Sequence, residues 1–357
     1  MNISPLLYPF ALLYGVGVGL RNFCYNHGLF RSRWYREIPT ICIGNVALGG
    51  TGKTPHTEFL IRKLSQKYKV AMLSRGYKRK TKGFLLATPQ STSVEIGDEP
   101  CQVKQKFPHC IVAVDANRNR GIQRLLSLPK KECPELILLD DAFQHRAVKP
   151  TFSILLTKYS RLYVDDHLVP VGTLRDEKSS AQRADVVIVT KCPQSVKTID
   201  LQRVAQHLAL LPMQHLFFSQ ICYDEIQPIF PESVDTPQRI DSDTHVLLVA
   251  GIESPEFMIK EVQRQTPHVS SIIYPDHYVL STKDYQQVDA HWQKIPPQKR
   301  MLLLSEKDAA RLKDDSRLPS TWKGELYYLP IRISLLQDRE DEFLQLIEKQ
   351  LIINSTR

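Results

Sequence analysis

Residues 48–54 read Leu-Gly-Gly-Thr-Gly-Lys-Thr, a run that could bind the phosphates of a nucleotide. Glycines let several backbone N–H groups converge on phosphate oxygens, and a helix that begins there adds the positive end of its dipole. In such loops a lysine reaches the β- and γ-phosphates and a hydroxyl holds Mg²⁺, roles that fall to Lys53 and Thr54. The first glycine of the usual G-x-x-x-x-G-K-[ST] spacing is replaced by Ala47. The predicted phosphate-binding residues are Gly49, Gly50, Thr51, Gly52, Lys53 and Thr54.

Two carboxylates, Asp140 and Asp141, directly follow the apolar run 136–139. Carboxylates at the end of a buried strand are suited to bind Mg²⁺ or its water shell in a phosphate-transfer site. The residues alone leave open which of the two touches the metal. Together with the glycine-rich loop they predict a nucleoside triphosphate site, without indicating what becomes of the γ-phosphate.

These groups must be positioned by the elements around them, and the pattern predicts a parallel sheet. Short apolar runs without alternation are separated by helical segments, as expected for strands covered on both faces. A helix is predicted for residues 55–68, after the glycine-rich loop. The fold class is therefore α/β, with a doubly wound P-loop domain that extends to about residue 215. The predicted strands are residues 41–43, 70–73, 111–114, 136–139, 152–156 and 186–189.

A second, smaller α/β domain is predicted after a polar stretch that contains prolines. Its strands are expected at 246–250, 271–274 and 301–304, with a helix at 255–265. Residues 216–219 and 325–328 are candidates for a strand pair that bridges the domains, and residues 339–352 for a final amphipathic helix. The predicted division is an N-terminal segment 1–34, a kinase domain 35–215, a smaller domain 216–335 with linker strands near 216–226 and 325–334, and a terminal helix 336–357.

The first twenty residues contain no charged side chain and are mostly apolar. Prolines at 5 and 9 interrupt the run, and arginines with interleaved aromatic residues follow it. An apolar segment with a basic flank is typical of a membrane-associated helix whose positive side stays cytoplasmic. The segment could lie on the membrane or span it once, and a helix buried against its own domain is the alternative.

Composition indicates a cytosolic environment and anionic partners. Of the 357 residues, 47 are Lys or Arg and 38 are Asp or Glu, a net charge of +9 that suits phosphorylated or membrane partners. Seven scattered cysteines without a C-x-x-C pair predict reduced thiols. Charge is the only feature that favours nucleic-acid binding, which is not expected, and no obligate protein partner is evident.

Further motifs occur in one order along the chain. They are Gly44-Asn45, residues 49–55, Ser74-Arg75-Gly76-Tyr77, Gly97-Asp98-Glu99-Pro100, Asn117-Arg118, residues 139–145, residues 170–176, Asp276-His277-Tyr278 and Ser305-Glu306-Lys307-Asp308. In this order the motifs resemble the tetraacyldisaccharide 4′-kinase family, whose members are membrane-associated kinases of lipid A synthesis in Gram-negative bacteria. The resemblance covers most of the chain, to about residue 310.

The resemblance implies an activity and its partners. The family transfers the γ-phosphate of ATP, with Mg²⁺, to the 4′-hydroxyl of an acylated glucosamine disaccharide 1-phosphate, which gives lipid IVA. An acylated substrate lies in a membrane, so the expected location is the cytoplasmic face of the bacterial inner membrane.

The resemblance also implies the roles of particular side chains. Asp98 and His277 match the family's Asp–His dyad, which activates the acceptor hydroxyl, and a hinge between the domains is expected to bring them together. Arg118 and Arg175 match arginines that neutralise phosphoryl charge, and Glu99 matches a metal-binding position. The residues expected around these groups are Arg75, Gln144, His145 and Asp176.

Two positions depart from the family pattern, and one rival function remains. Ala142 stands where a glycine is usual, and Asp176 stands where a glutamate is usual. The rival is a membrane-associated P-loop NTPase or switch, because Thr190-Lys191 resembles the base-reading loop of GTPases. Pro193 occupies the place of the aspartate that guanine recognition requires.

Overall fold

The computed structural model describes residues 5–234, 239–276, 278–313 and 315–355. The strands are β1 (Arg33–Trp34), β2 (Thr40–Gly44), β3 (Val70–Ser74), β4 (Leu85–Leu86), β5 (Ile111–Val114), β6 (Leu136–Asp140), β7 (Val148–Lys149), β8 (Phe152–Lys158), β9 (Val186–Thr190), β10 (His215–Tyr223), β11 (Gln227–Pro228), β12 (His245–Ala250), β13 (Val269–Ile273), β14 (Arg300–Ser305), β15 (Leu326–Leu329) and β16 (Ile331–Leu335). The α-helices are α1 (Tyr8–Asn26), α2 (Lys53–Leu64), α3 (Ser93–Ile96), α4 (Asp98–Lys106), α5 (Arg118–Leu126), α6 (Thr198–Leu208), α7 (Pro255–Gln263), α8 (Thr282–Trp292), α9 (Glu306–Leu312) and α10 (Glu340–Ser355).

The larger sheet has the strand order β16-β10-β9-β8-β2-β6-β3-β5-β4. Its seven central strands are parallel, and the two edge strands β4 and β16 run antiparallel to their neighbours. Side chains alternate between two cores, with Ile41 and Ile43 on one face and Cys42 on the other. The predicted doubly wound sheet is confirmed. We call this sheet and the helices packed on it the larger unit.

Strand β2 occupies the point where the strand order reverses, because β6 lies on one side of it and β8 on the other. In doubly wound sheets the loops leave such a point in opposite directions and open a crevice at the carboxyl ends of the strands. The glycine-rich loop begins there, directly after Gly44. Topology therefore places the predicted phosphate-binding residues in a crevice.

The smaller sheet has the order β11-β15-β14-β12-β13, with β11 as its antiparallel edge. Cores on both of its faces contain fully buried aromatic side chains, among them Trp292, Trp322 and Tyr327. The predicted second α/β sheet is confirmed, and we call it with its helices the smaller unit.

The chain crosses between the units at β10 and again between β15 and β16. Strand β10 pairs with β9 and β16, and β15 pairs with β14 and β11 inside the smaller sheet. The pairing expected between residues 216–219 and 325–328 is therefore wrong. Strands β15 and β16 are separated by Pro330 alone, so two adjacent apolar segments enter different sheets. Helix α10 then packs on the larger unit through Phe343, which contacts Phe217 at a ring-centroid distance of 5.1 Å.

Helix α1 lies against the larger unit with most of its apolar side chains outside. Its buried residues are Val18 and Asn22, whereas Leu12 and Leu13 are each 70% exposed. The alternative of a helix buried on its own domain is therefore wrong. Within the described residues, no helix is both long enough and apolar enough to cross a membrane.

Candidate active site

The glycine-rich loop joins β2 to α2 and has the backbone geometry of an anion cradle. Gly49 and Gly52 have φ values of +95° and +85°, which side-chain-bearing residues rarely adopt. The Asn45 side chain donates to the Thr51 hydroxyl at 2.9 Å and so ties the two ends of the loop. Lys53 then opens α2, where the backbone N–H groups of a first helical turn have no partners within the helix.

His56 holds the loop from beneath and was not predicted from the sequence. Its Nδ1 lies 2.6 Å from the Gly52 carbonyl, and its Nε2 lies 2.9 Å from the Ser219 hydroxyl. A carbonyl can only accept, so Nδ1 donates and the Ser219 hydroxyl donates to Nε2. Burial lowers the pKa of His56 to about 4, which keeps the ring neutral in this arrangement. No local pattern signals this role, because Ser219 lies on β10, remote in sequence.

Asp140 and Asp141 end β6 beside the loop in two different environments. The buried Asp140 carboxylate accepts hydrogen bonds of 3.2 Å from Thr57 and from Ser74. Burial raises the pKa of Asp140 to about 7, and the negative charges of Glu99 and Asp141 add to the rise. Burial also acts on Asp141, but the charges of Lys53 and Arg175 outweigh it and lower the pKa of Asp141.

Arg175 reaches the same crevice, whereas Arg118 has a structural environment. The Nη2 atom of Arg175 lies 3.0 Å from Asp141 Oδ1 and also donates a hydrogen bond to the Asn45 side chain. Arg118 is 2% exposed, and its two Nη atoms donate at 2.9 Å to the carbonyls of Asp115 and Asp140. Arg118 therefore fixes the ends of β5 and β6, and its positive charge acts on the crevice from the buried interior.

Asp98 and Glu99 begin α4, and α4 packs against α9 of the smaller unit. Arg311 on α9 lies 2.8 Å from Asp98 and its Nη1 donates at 3.5 Å to the carbonyl of Tyr278. His277 lies outside the described residues, so its predicted pairing with Asp98 stays a prediction. The neighbouring Asp276 forms an ion pair of 2.9 Å with Lys307.

Asp176 points away from the crevice and holds α1. Its fully buried carboxylate accepts a hydrogen bond of 2.8 Å from Asn22 and forms ion pairs of 3.2 Å with Arg21 and Arg183. The carbonyl of the preceding residue, Arg175, accepts a hydrogen bond of 2.9 Å from the Tyr14 hydroxyl. Residues 175 and 176 thus connect the crevice to the N-terminal helix.

The other predicted neighbours lie around the ends of β3 and β6. Arg75 lines the crevice, and Gln144 donates to the carbonyl of Asn45. The Nε2 atom of His145 is buried without a hydrogen-bond partner among the described residues. Burial and the charges of Arg118 and Arg75 lower the pKa of His145 to about 4.

One cavity of about 480 Å³ between the two units is lined by most of these residues. Its polar lining includes Lys53, Thr54 and Asp141 from the larger unit and Lys307 from the smaller unit. Its apolar lining includes Ile221, Tyr223, Met258, Leu329, Ile331 and Ile333. Cations and carboxylates suit the phosphates of a nucleotide, and apolar side chains suit its base.

The carboxylates fit a magnesium ion. Thr54, Glu99, Asp140 and Asp141 share the cavity wall and present oxygen atoms, the ligands that Mg²⁺ prefers. Burial raises the pKa of Asp140, the negative charges of Glu99 and Asp141 add to the rise, and a cation bound among these carboxylates would oppose it. Within the described part of the chain, no group of three or more His, Cys, Asp or Glu side chains is arranged to hold a metal alone. Mg²⁺ in kinases is usually bound by one or two carboxylates together with substrate phosphates.

Comparisons with known proteins agree over the whole chain. A family model described as tetraacyldisaccharide-1-P 4′-kinase matches residues 3–352. A tetraacyldisaccharide 4′-kinase of Parabacteroides distasonis is 48% identical over 355 residues, which cover 98% of this chain and 95% of the relative. One of Bacteroides thetaiotaomicron is 45% identical over 353 residues, 97% and 92% of the two chains. The solved structure of LpxK from Aquifex aeolicus in complex with ATP is 26% identical, with a TM-score of 0.73 over 98% of this chain and 100% of that one.

Proposed function

The chain belongs to the tetraacyldisaccharide 4′-kinase family, and we propose how its residues divide the work of that reaction. The enzyme transfers the γ-phosphate of ATP to the 4′-hydroxyl of tetraacyldisaccharide 1-phosphate, a step of lipid A biosynthesis that gives lipid IVA. The observation that carries the proposal is one cleft whose lining includes Lys53, Asp141 and Arg175 of the larger unit and Lys307 of the smaller unit.

The phosphate chain of ATP binds to the glycine-rich loop, residues 49–54. Backbone N–H groups of the loop and of the first turn of α2 donate to phosphate oxygens, and Lys53 neutralises the β- and γ-phosphates. Arg175, held beside Asp141 at 3.0 Å, adds positive charge on the transferring phosphoryl group. These groups are fixed before the reaction by Asn45 and His56, so little reorganisation is required in the transition state.

Asp98 and His277 activate the acceptor hydroxyl. A neutral imidazole takes the proton from the 4′-hydroxyl, and the carboxylate orients the ring and stabilises its charged form. Arg311 supports this pairing, because its guanidinium contacts both Asp98 and the carbonyl of Tyr278, the residue after position 277. Because Asp98 and Tyr278 belong to different units, the dyad forms only when the units are close. We place the hinge at the crossings through β10 and β16.

Asp141, Asp140, Thr54 and Glu99 would hold Mg²⁺ together with ATP phosphates. The Asp141 side chain is 31% exposed and faces the cavity, whereas the Asp140 carboxylate is engaged by two hydroxyls behind it. Asp141 is therefore the carboxylate with the freer access to a bound ion. The ion would supply charge neutralisation for the phosphoryl group.

The membrane partner is bound by α1. Its exposed side chains include Phe10, Leu12, Leu13, Val16 and Leu20, an apolar surface unusual for a helix in water. Such a helix lies in the interface of a bilayer with its apolar side among the acyl chains. The Asn22–Asp176 hydrogen bond fixes the helix beside Arg175, so the reaction site is held near the lipid at the cytoplasmic face of the inner membrane.

The test is a transfer assay with purified protein, Mg²⁺, γ-labelled ATP and tetraacyldisaccharide 1-phosphate in detergent. We expect label in a doubly phosphorylated lipid, and none with the Lys53→Ala variant. Release of inorganic phosphate without labelled lipid would instead support the P-loop NTPase alternative.

A further inference from the structure

A carboxylate of the smaller unit lies on the glycine-rich loop. Glu253 belongs to the segment between β12 and α7, and its side chain reaches across the cleft to Gly49 and Gly50. The backbone N–H of Gly50 lies next to this carboxylate and helps to lower its pKa. A β-carbon added to either glycine would collide with the carboxylate oxygens, so the contact depends on both residues being glycine.

Two lysines of the larger unit hold the same carboxylate. Lys158 Nζ lies 2.6 Å from Glu253 Oε1, and Lys191 Nζ lies 3.7 Å from Oε2. Lys158 ends β8 and Lys191 follows β9, so adjacent parallel strands deliver both cations to the edge where β2 enters the loop. Lys191 also donates to the Ser254 hydroxyl at 2.8 Å. Burial opposes ionisation of Glu253, but the hydrogen bond and charge of Lys158 outweigh it and lower the pKa of the carboxyl.

A backbone N–H in a glycine-rich loop together with two ammonium groups forms an anion site. Carboxylate and phosphate oxygens accept from the same donors, with charge-assisted bonds in both cases. Lys158 and Lys191 carry two positive charges against the single negative charge of Glu253. A phosphate group, with more charge and more oxygen atoms, therefore suits these donors better than the carboxylate does.

We propose that Glu253 occupies a nucleotide phosphate site when no nucleotide is bound, and that Lys158 and Lys191 are phosphate-binding residues of this kinase. The proposal rests on the proposed use of the glycine-rich loop for ATP. In binding, the phosphate displaces the carboxylate from Gly50 and from the lysines. Glu253 then moves with the smaller unit, so nucleotide binding and the position of that unit are linked.

The test measures ATP affinity in the full chain without lipid, by displacement of a fluorescent nucleotide. Glu253→Gln keeps the size of the side chain and removes its charge, and we expect ATP to bind about fivefold more tightly, the change that about 1 kcal/mol of lost competition produces. Glu253→Ala should change the affinity in the same direction. The matched control is Glu261→Gln on α7, whose carboxylate pairs with Arg264, and it should leave the affinity unchanged. Unchanged or weaker ATP binding in both Glu253 variants would overturn the proposal.

Two further measurements separate the anion site from a general effect of domain position. Adenosine has no phosphate, so its ability to displace the probe should be the same in wild type and in Glu253→Gln. An equal gain for adenosine and ATP would overturn the proposal. In the Glu253→Gln background, where Lys158 has lost its partner, Lys158→Met should weaken ATP binding severalfold. No loss there would remove Lys158 from the phosphate site.

These results are independent of the transfer assay. ATP binding that responds to Glu253 as expected, without label in lipid, would contradict the proposed function and support the anion site. Lipid phosphorylation together with an ATP affinity that is unchanged in the Glu253 variants would support the proposed function and contradict the anion site.

Discussion

The guanidinium of Arg311, in the smaller unit, lies 2.8 Å from the carboxylate of Asp98, in the larger unit. The two residues are 213 positions apart in the sequence and meet because α9 packs on α4. Arg311 also contacts Asp308 at 3.3 Å on its own helix, so its position is fixed from the smaller unit. Because this ion pair joins the two units, we expect their closure to control the geometry of the proposed Asp98–His277 dyad.

Replacing Arg311 by alanine should lower kcat of lipid phosphorylation about tenfold, because the cross-cleft contact that positions Asp98 is lost. Arg311→Lys should recover part of the rate, and the affinity for ATP should change little. The control is Arg317→Ala, which breaks a pair with Asp315 away from the cleft. Equal rates in wild type and Arg311→Ala would show that the pair has no part in positioning.

Lys53→Ala should abolish detectable transfer, since the phosphate chain loses its main side-chain cation. Lys63→Ala is a matched control on the same helix. Lys63 forms an ion pair with Glu340 of α10 and does not line the cavity. Transfer with labelled ATP checks both variants, and a thermal melt shows whether each one folds. Substantial activity in Lys53→Ala would contradict the assignment of the loop.

Asp141→Asn should raise the Mg²⁺ concentration needed for half-maximal activity at least about tenfold, because a charged ligand oxygen becomes a neutral amide. Titration of activity with Mg²⁺ at saturating ATP measures the change. Asp315→Asn, at a carboxylate that pairs with Arg317, serves as the control. A variant that loses rate at every Mg²⁺ concentration, with an unchanged midpoint, would speak against direct ligation by Asp141.

Replacing Leu12, Leu13 and Val16 together by serine should release the protein from anionic lipid vesicles with little change in Tm. These side chains are exposed, so the folded protein loses few contacts, whereas membrane binding loses about 1.5–3 kcal/mol for each apolar side chain removed from lipid. Co-sedimentation with vesicles measures binding. Val18→Ser is the contrasting variant, because Val18 is buried against the larger unit and its replacement should lower Tm. Full vesicle binding by the triple variant would place the anchor elsewhere.

His56 should make the free energy of unfolding depend on pH between about 6.5 and 4. Burial lowers the pKa of His56 to about 4 in the folded chain, below the ordinary value of 6.5. The neutral ring therefore contributes stability that is present above pH 6.5 and is lost as the pH falls toward 4, up to about 3 kcal/mol at 1.36 kcal/mol per pKa unit. Urea unfolding at several pH values should show a smaller decline in His56→Gln than in wild type. Parallel pH profiles would refute the predicted shift.

Local sequence was sufficient to predict the sheet strands and the position of the glycine-rich loop between β2 and α2. Buried parallel strands require continuous apolar runs, and the loop requires glycines ahead of a lysine and a hydroxyl, so both leave a short-range pattern. The position of Asp140 and Asp141 beside this loop was predictable for the same reason, because they follow a buried strand directly. The resemblance of motifs added the substrate and the proposed acceptor site, which no periodicity reveals.

Strand pairing near the end of the chain was not predictable from these patterns. The segments 326–329 and 331–335 are both apolar and are separated only by Pro330, yet one joins the smaller sheet and the other returns to β10. Which sheet accepts a strand depends on the free edges available, and these exist only after both sheets have formed.

The sequence by itself determined which donor groups lie at the carboxyl end of β2, because the spacing within one strand, loop and helix specifies the backbone and side-chain groups that converge there. Tertiary structure alone decided which distant groups enter the cleft and which do not. The Asp176 carboxylate binds α1 instead of facing the cleft, and Arg118 holds the ends of two strands. Glu253, by contrast, reaches Gly50 from the other unit. The physical reason is the separation along the chain between the groups that interact. Backbone conformation and burial follow from neighbours along the chain, whereas an ion pair or a hydrogen bond between units depends on how two complete sheets pack across one cleft.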